Sequence, residues 1–319
     1  MKNRAALTTP DLAWILAVVA FWGFAFVPIR IALDEVPPFA LAALRFFFAA
    51  VPAVFFVRRP AMPWRDVAAY GLAIGLFQFG LLFLGIKLGM PVGLSSLVIQ
   101  VQVFFTIGLA VMFTGDRVTR ANMAGGAIAA IGIVELAAYK LAGGMSSTLA
   151  GFALVVVAGF AWACGNIVAR HAAAKYRADM LSLVVWSSIL PVLPLAVLSY
   201  TLEGGTDVFA SVVGATWKMW ACVFLMAWGA TLFGFGSWAA LLHRYPVGLI
   251  TPFALLIPVS GLICGALLLQ ERLAPMQWLG AVIVLAGLVI NVYGARWIGV
   301  LRTPGPAAAK RAAGGRPAR

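Results

Sequence analysis

The sequence predicts an all-α polytopic membrane protein whose ten transmembrane helices form two inverted five-helix repeats. Three observations predict it. The 319 residues are 63% hydrophobic and only 10% charged, with a mean hydropathy of +1.02, too little polar material to cover a soluble core of that size. Residues 93–134 slide by 155 positions onto 248–289 without a gap: Gly93 falls on Gly248, Leu94 on Leu249, Asp116 on Glu271, Arg117 on Arg272, Gly125 on Gly280 and Gly132 on Gly287. A shift of 140 lays Trp22 on Trp162 and Arg30 on Arg170. Finally, each repeat holds five apolar spans, an odd number, so the second enters the bilayer the opposite way up. Inverted repeats are the architecture of secondary transporters, whose substrate sits between the halves near the midplane.

Apolar runs cut by Gly, Pro and charge place the spans at 12–32, 38–57, 67–86, 92–113, 122–140, 150–170, 180–200, 216–242, 247–269 and 276–296. Each is long enough to cross the hydrocarbon. Each must be helical, because backbone polar groups in lipid have to be satisfied within their own segment. Lys2 and Arg4 precede an apolar stretch that runs from Leu12 to about Leu33, longer than a signal-peptide core and followed by no small-x-small cleavage site. It reads as the first membrane helix. The expected organisation is a cytoplasmic amino-terminal segment (1–11), a first repeat (12–140), a second, inverted repeat (150–297) and a basic, disordered cytoplasmic tail (298–319). The tail is rich in Ala, Gly, Pro and Arg and has too little apolar material to fold. It reads as a simple topological anchor, with attraction to anionic lipid as the competing reading.

Orientation follows from the basic residues. With the amino terminus inside, 17 of the 23 Lys and Arg fall on the cytoplasmic side; Arg30, Lys87, Lys140, Lys218 and Arg272 fall outside, and Arg45 lies within a span. That bias puts both termini in the cytoplasm and supports an even number of spans. It also accounts for the net charge of +13 without nucleic acid, since no basic helix carries base-reading side chains. Cys164, Cys222 and Cys264 lie in apolar stretches, form no CxxC pair and read as packing residues. Gly71 with Gly75, and Gly261 with Gly265, are small-xxx-small pairs that let helix backbones approach.

An enzyme reading finds no support. His171 and His243 sit at cytoplasmic helix ends, and the chain has no HExxH, no GxSxG and no phosphate-cradling glycine loop with its lysine. No cofactor or metal is implied. The chain is compatible with a homodimer.

Several motifs resemble one family. Trp22-Gly23 in span one, Leu44-Arg45-Phe46 in span two and Glu271-Arg272-Leu273 after span nine resemble the ten-helix EamA branch of the drug/metabolite transporter superfamily. The stretches 89–107, Trp162-Ala-Cys-Gly-Asn-Ile167 and Ser182-Leu-Val-Val-Trp186 sharpen the resemblance, which covers about residues 12–297. One departure is Asp116-Arg117-Val118, where the first repeat of that branch has Glu-Arg-Leu; the charges are kept. The resemblance implies an inner-membrane exporter of small amino-acid metabolites, of the cysteine or O-acetylserine type. It also implies a central cavity lined mainly by helices 1, 3, 4, 6, 8 and 9.

Polar groups inside lipid spans are costly, so they mark candidate contacts. Gln78 lies mid-way along span three, and Gln100 and Gln102 mid-way along span four. A glutamine offers donors and an acceptor that suit a zwitterion's carboxylate and ammonium. Gln100 and Gln102 are about 200° apart round a helix, so they cannot both face one cavity. Gln102 is favoured, with Gln78 opposite; an interhelical hydrogen bond that only joins helices is the competing reading. Trp162 and Asn166 share one helical face. Trp22, the repeat mate of Trp162, makes a second indole to wall a cavity and stack on an ammonium, with core packing as the alternative. Trp238, beside Ser237, is placed in an inner vestibule. Trp14, Trp217, Trp278 and Trp297 read as interfacial belt residues. Arg45 is basic and deep; attraction of a substrate carboxylate, guarding of the outer mouth, snorkelling and pairing with Glu135 compete, and the structural pair is preferred. Glu135 lies near the outer end of span five, and its repeat mate is Ile290. Pro28, Pro252 and Pro258 are expected to interrupt helices.

Overall fold

The computed structural model describes residues 7–114, 119–142, 149–176, 178–245 and 247–302. Asp116, Arg117 and most of both predicted tails lie outside the described residues. No strand occurs among the described residues. The apolar helices, in chain order, are α1 (Thr9–Ala32), α2 (Pro38–Phe55), α3 (Trp64–Lys87), α4 (Val92–Phe113), α5 (Arg120–Tyr139), α6 (Leu149–Tyr176), α7 (Met180–Leu202), α8 (Trp217–Leu241), α9 (Pro252–Leu268) and α10 (Pro275–Gly294). Among the described residues nine are long and apolar enough to cross a membrane, and α9 is shorter. It starts in a 3-10 stretch, Thr251–Leu255, and is preceded by a single helical turn, Val247–Ile250.

Because successive spans alternate in direction, the α1–α2, α3–α4, α7–α8 and α9–α10 connections share one face, here the distal face. The described ends of the chain and the α2–α3, α6–α7 and α8–α9 connections share the terminal face.

Lipid is as apolar as leucine, so small residues and polar contacts hold such helices together. α5 and α10, expected at the periphery, pack on each other through the repeated glycines. A Cβ on Gly125 would stand 2.6 Å from the Gly287 carbonyl oxygen, and one on Gly132 would stand 2.9 Å from that of Gly280. Since Gly125 corresponds to Gly280 and Gly132 to Gly287, each pairs with the mate of the other, the signature of a two-fold axis running through the crossing. The predicted small pairs also make contacts. Gly71 abuts the Ser187 carbonyl and Gly75 abuts Pro191, bringing α3 onto α7. Gly261 abuts Ser96 of α4, and Gly23 of α1 abuts Gly261.

Two kinds of interruption cut the helices. α1 breaks at Ala25, between Thr9–Phe24 and Phe26–Ala32; Pro28 has no N–H to return to Phe24. Pro252 opens the 3-10 stretch before α9. The second kind had no sequence signal: α3 and α8 each carry a π-helical segment, Leu72–Phe79 and Leu225–Phe233. They fall at nearly the same place in the two repeats, and such segments frequently accompany functional sites.

Three carboxylates join the repeats on the distal face, each at a helix N-terminus whose free N–H groups need acceptors. Glu203, after α7, accepts from the amides of Phe39 (2.8 Å) and Ala40 (3.2 Å) at the start of α2. Glu271, after α9, accepts from Val92 (2.6 Å) and Gly93 (2.9 Å) at the start of α4. Glu35, after α1, accepts from the amide and hydroxyl of Thr216 (both 2.7 Å) at the start of α8. These hydrogen bonds hold the Glu35 carboxyl below its ordinary value of 4.5, the Thr216 amide contributing most. On the terminal face, the Tyr245 hydroxyl donates to Asp11 (2.5 Å), which also pairs with Arg244 (3.1 Å), and Tyr176 donates to Asp66 (3.0 Å).

Candidate functional site

The predicted residues of α4 and α6 meet. The Asn166 amide donates to Gln102 Oε1 at 2.7 Å and to Thr106 Oγ1 at 3.1 Å. Thr106 donates to the Gln102 carbonyl at 2.7 Å. Helical spacing dictates this: Gln102 and Thr106 are four apart and project from one face of α4. Gly159, about two turns before Asn166 on α6, lets the two backbones touch near Ile99. All three polar side chains are only half-buried, so each retains hydrogen-bonding capacity beyond its protein partners. Thr106 is the member that sequence reading missed. Its signal was the four-residue spacing from Gln102.

Gln100, on the 3-10 turn Ile99–Val101, is buried at 5% exposure. Gln78 lies in the π segment of α3 at 3% exposure, and its carbonyl oxygen is buried without a partner.

The aromatic candidates divide. Trp22 donates its indole N–H to the Ala230 carbonyl in α8 at 2.8 Å. Its ring lies 5.3 Å from that of Trp238 and 5.4 Å from that of Phe235. Both contacts cross from the first repeat to the second. Trp162 packs against the large buried cluster, and Trp22 takes Trp238 as its neighbour. Trp14, Trp217 and Trp278 are exposed, consistent with an interfacial belt; the side chain of Trp297 lies outside the described residues.

Arg45 is 4% exposed. Its Nη2 donates weakly to Thr231 Oγ1 at 3.3 Å, its guanidinium carbon lies 3.8 Å from the centre of the Phe79 ring, and its Nε is buried without a partner. The expected pairing with Glu135 is overturned. Both Glu135 oxygens are buried and unpartnered, and the side chain lies in the α5–α10 crossing against Gly280. Counting residues along the spans put the two charges at similar depth, but α2 and α5 present them to different neighbours.

Arg45 also lines a cavity, together with Tyr70, Ile74 and Gly75 of α3, Ser187 and Ser188 of α7, and Thr231 and Phe235 of α8. The cavity therefore falls between α2, α3, α7 and α8, drawing on two helices that the resemblance did not imply. It adjoins both other groups. Phe235 stacks on Trp22, and Ile74 packs on Gly165, next to Asn166. Polar cluster, tryptophans and cavity are thus neighbours where the two repeats meet. Among the described residues no group of His, Cys, Asp and Glu could hold a metal ion.

The comparisons bear on the whole chain. The model of the EamA-like transporter family matches twice, over residues 10–137 and 149–293. A probable amino-acid metabolite efflux pump of Escherichia coli K12 is 43% identical over 292 residues, 91% of this chain and 97% of that protein. A pump of the same description from Salmonella typhimurium is 43% identical over 285 residues, 88% of this chain and 94% of its own length. A solved structure aligns over 89% of this chain and 97% of its own, with a TM-score of 0.60 and 19% identity, a likeness of fold. Two matches of one family model, one per half, are what the 155-residue register requires, and the chain belongs to the EamA-like transporter family.

Proposed function

We propose that this protein exports small amino-acid metabolites across a bacterial inner membrane, with both termini cytoplasmic, by alternating access around a path between the repeats. The class of cargo comes from the two relatives named as amino-acid metabolite efflux pumps. Within it, cysteine and O-acetylserine are the proposed substrates. The domain limits proposed are those read from the sequence, 12–140 and 150–297.

One observation carries the reading: the Gln102–Thr106–Asn166 cluster is not required by the fold. In the repeat registers its members correspond to Ile257, Gly261 and Phe26. There the equivalent crossing of α1 on α9 closes through Gly23 and Gly261 with no amide at all. One of the two symmetry-related junctions packs with small and apolar residues and a single hydroxyl, Ser260 donating to the Ala20 carbonyl at 3.0 Å, and the other spends three polar side chains, whose burial in lipid is costly. A role beyond packing accounts for the difference. The half-buried amides offer hydrogen bonds to a zwitterion, and the Trp22–Trp238 pair offers π-faces to its ammonium. Gln78, Gln100 and Trp162 are proposed as further contacts along the path.

The test is flux into proteoliposomes with labelled cysteine, O-acetylserine, phenylalanine and a cationic dye, with and without a proton gradient. Cysteine and O-acetylserine are expected to move faster than into empty liposomes, and the dye is not. Asn166→Leu leaves Gln102 without its donor and is expected to raise the transport KM about three- to tenfold while the protein still inserts. Unchanged kinetics in that variant would remove the cluster from the path. A gradient-independent rate would exclude proton drive.

A further inference from the structure

The cavity around Arg45 carries an inference that concerns the substrate's own charge. Four observations meet there. The guanidinium is nine-tenths buried, at 4% exposure. Its Nε donor has no partner, and its hydrogen bond to Thr231 is long at 3.3 Å. Among the described residues no carboxylate forms an ion pair with it. It lines a cavity enclosed between α2, α3, α7 and α8. The ring of Phe79 covers one face of the cation at 3.8 Å, which leaves the edge of the guanidinium as the direction in which an anion is still wanted. A buried arginine whose charge the protein does not neutralise is expensive in a membrane.

We infer that Arg45 anchors the carboxylate of the transported amino acid at the edge of this cavity. The guanidinium edge matches a carboxylate with two parallel hydrogen bonds. The α7 part of the lining suits the other end of a zwitterion. Ser187 and Ser188 both give their hydroxyl protons to the Val184 carbonyl, at 3.1 and 2.7 Å, so their oxygens present lone pairs, the acceptors that an ammonium needs. The cavity lining holds no acid, so selection is for an anionic group and against a bare amine. The identity of the ligand rests on the exporter reading; the preference for a carboxylate does not.

The experiment pairs each acid with its decarboxylated amine: cysteine with cysteamine, alanine with ethylamine, phenylalanine with phenethylamine. Binding to the purified full chain in nanodiscs is measured by thermal shift and tryptophan fluorescence. For any pair that binds, the wild type is expected to hold the acid at least about tenfold more tightly than the amine. Arg45→Gln is expected to abolish that difference by weakening the acid alone, and unaltered amine binding shows that the variant is folded. Thr231→Val retains the cation and is expected to retain the preference for the acid. Equal binding of acid and amine by the wild type, an equal loss of both in Arg45→Gln with retained thermal stability, or no binding in any pair would overturn the inference. Carboxylate-selective binding without flux would instead sink the exporter reading and leave the anchor standing.

Discussion

At the scale of single residues, apolar context made the polar candidates legible. Gln102 and Asn166 stood out because an amide in a lipid span is rare, and they touch. Thr106 was not legible, since threonine in a membrane helix commonly bonds its own backbone, as it also does here. The Arg45–Glu135 pair was misread because depth can be counted along a sequence, whereas azimuth depends on how helices pack. Glu135 now yields a prediction. Neither of its oxygens has a partner and its side chain presses on Gly280, so Glu135→Gln removes a charge without removing a contact. Thermal unfolding in detergent is expected to show equal or higher stability; a clear fall would show that the charge itself is needed. Cavity residues such as Ser187 and Tyr70 gave no warning, being ordinary in composition, and only the packing of α7 on α3 brings them to Arg45.

At the scale of elements, the ten spans were readable to within a few residues because length and hydropathy are set by bilayer thickness. The π segments were not, since they replace one backbone ladder by another without changing composition. Their occurrence at matching places in α3 and α8 puts Gln78, Thr231 and Phe79 at or within widened turns; Thr231 donates to Met226, five residues back. The glycines of α5 and α10 were visible as a repeat register, yet their mutual contact was not. That contact makes a prediction by comparison. Gly132→Val drives a side chain into the Gly280 carbonyl and Val284, and is expected to destabilise by about 1–3 kcal/mol. Gly108, with nothing within 4 Å of a built Cβ, is expected to tolerate alanine with a gain of up to about 1 kcal/mol. Melting temperatures of the two variants check both, and equal losses would refute the crossing.

At the scale of the whole molecule, the repeats are symmetric in their helices and asymmetric in how they are joined. The distal face is held by three carboxylates on helix N-termini, and the terminal face by an acid–tyrosine–arginine clasp and a tyrosine–acid bond. Glu35 makes part of the distal junction dependent on pH. Its folded-state value is lowered, so its contribution is full above the ordinary value and is lost as pH falls through the depressed one. Protection of the Thr216 amide from hydrogen exchange, relative to its intrinsic rate at each pH, is expected to fall on acidification from about pH 7 to about 3, and to lose that pH dependence in Glu35→Gln. The inverted architecture was the most legible property of all, because it was written twice in the chain. What remains decisive is whether the distal junction opens during transport. In a background with Cys164, Cys222 and Cys264 replaced, Glu35→Cys and Thr216→Cys can be joined by a short, reducible bifunctional thiol reagent and cysteine flux measured before and after cleavage of the bridge. Flux that stops on bridging and returns on cleavage is the expected result; undiminished flux through the bridged protein would contradict alternating access between the repeats.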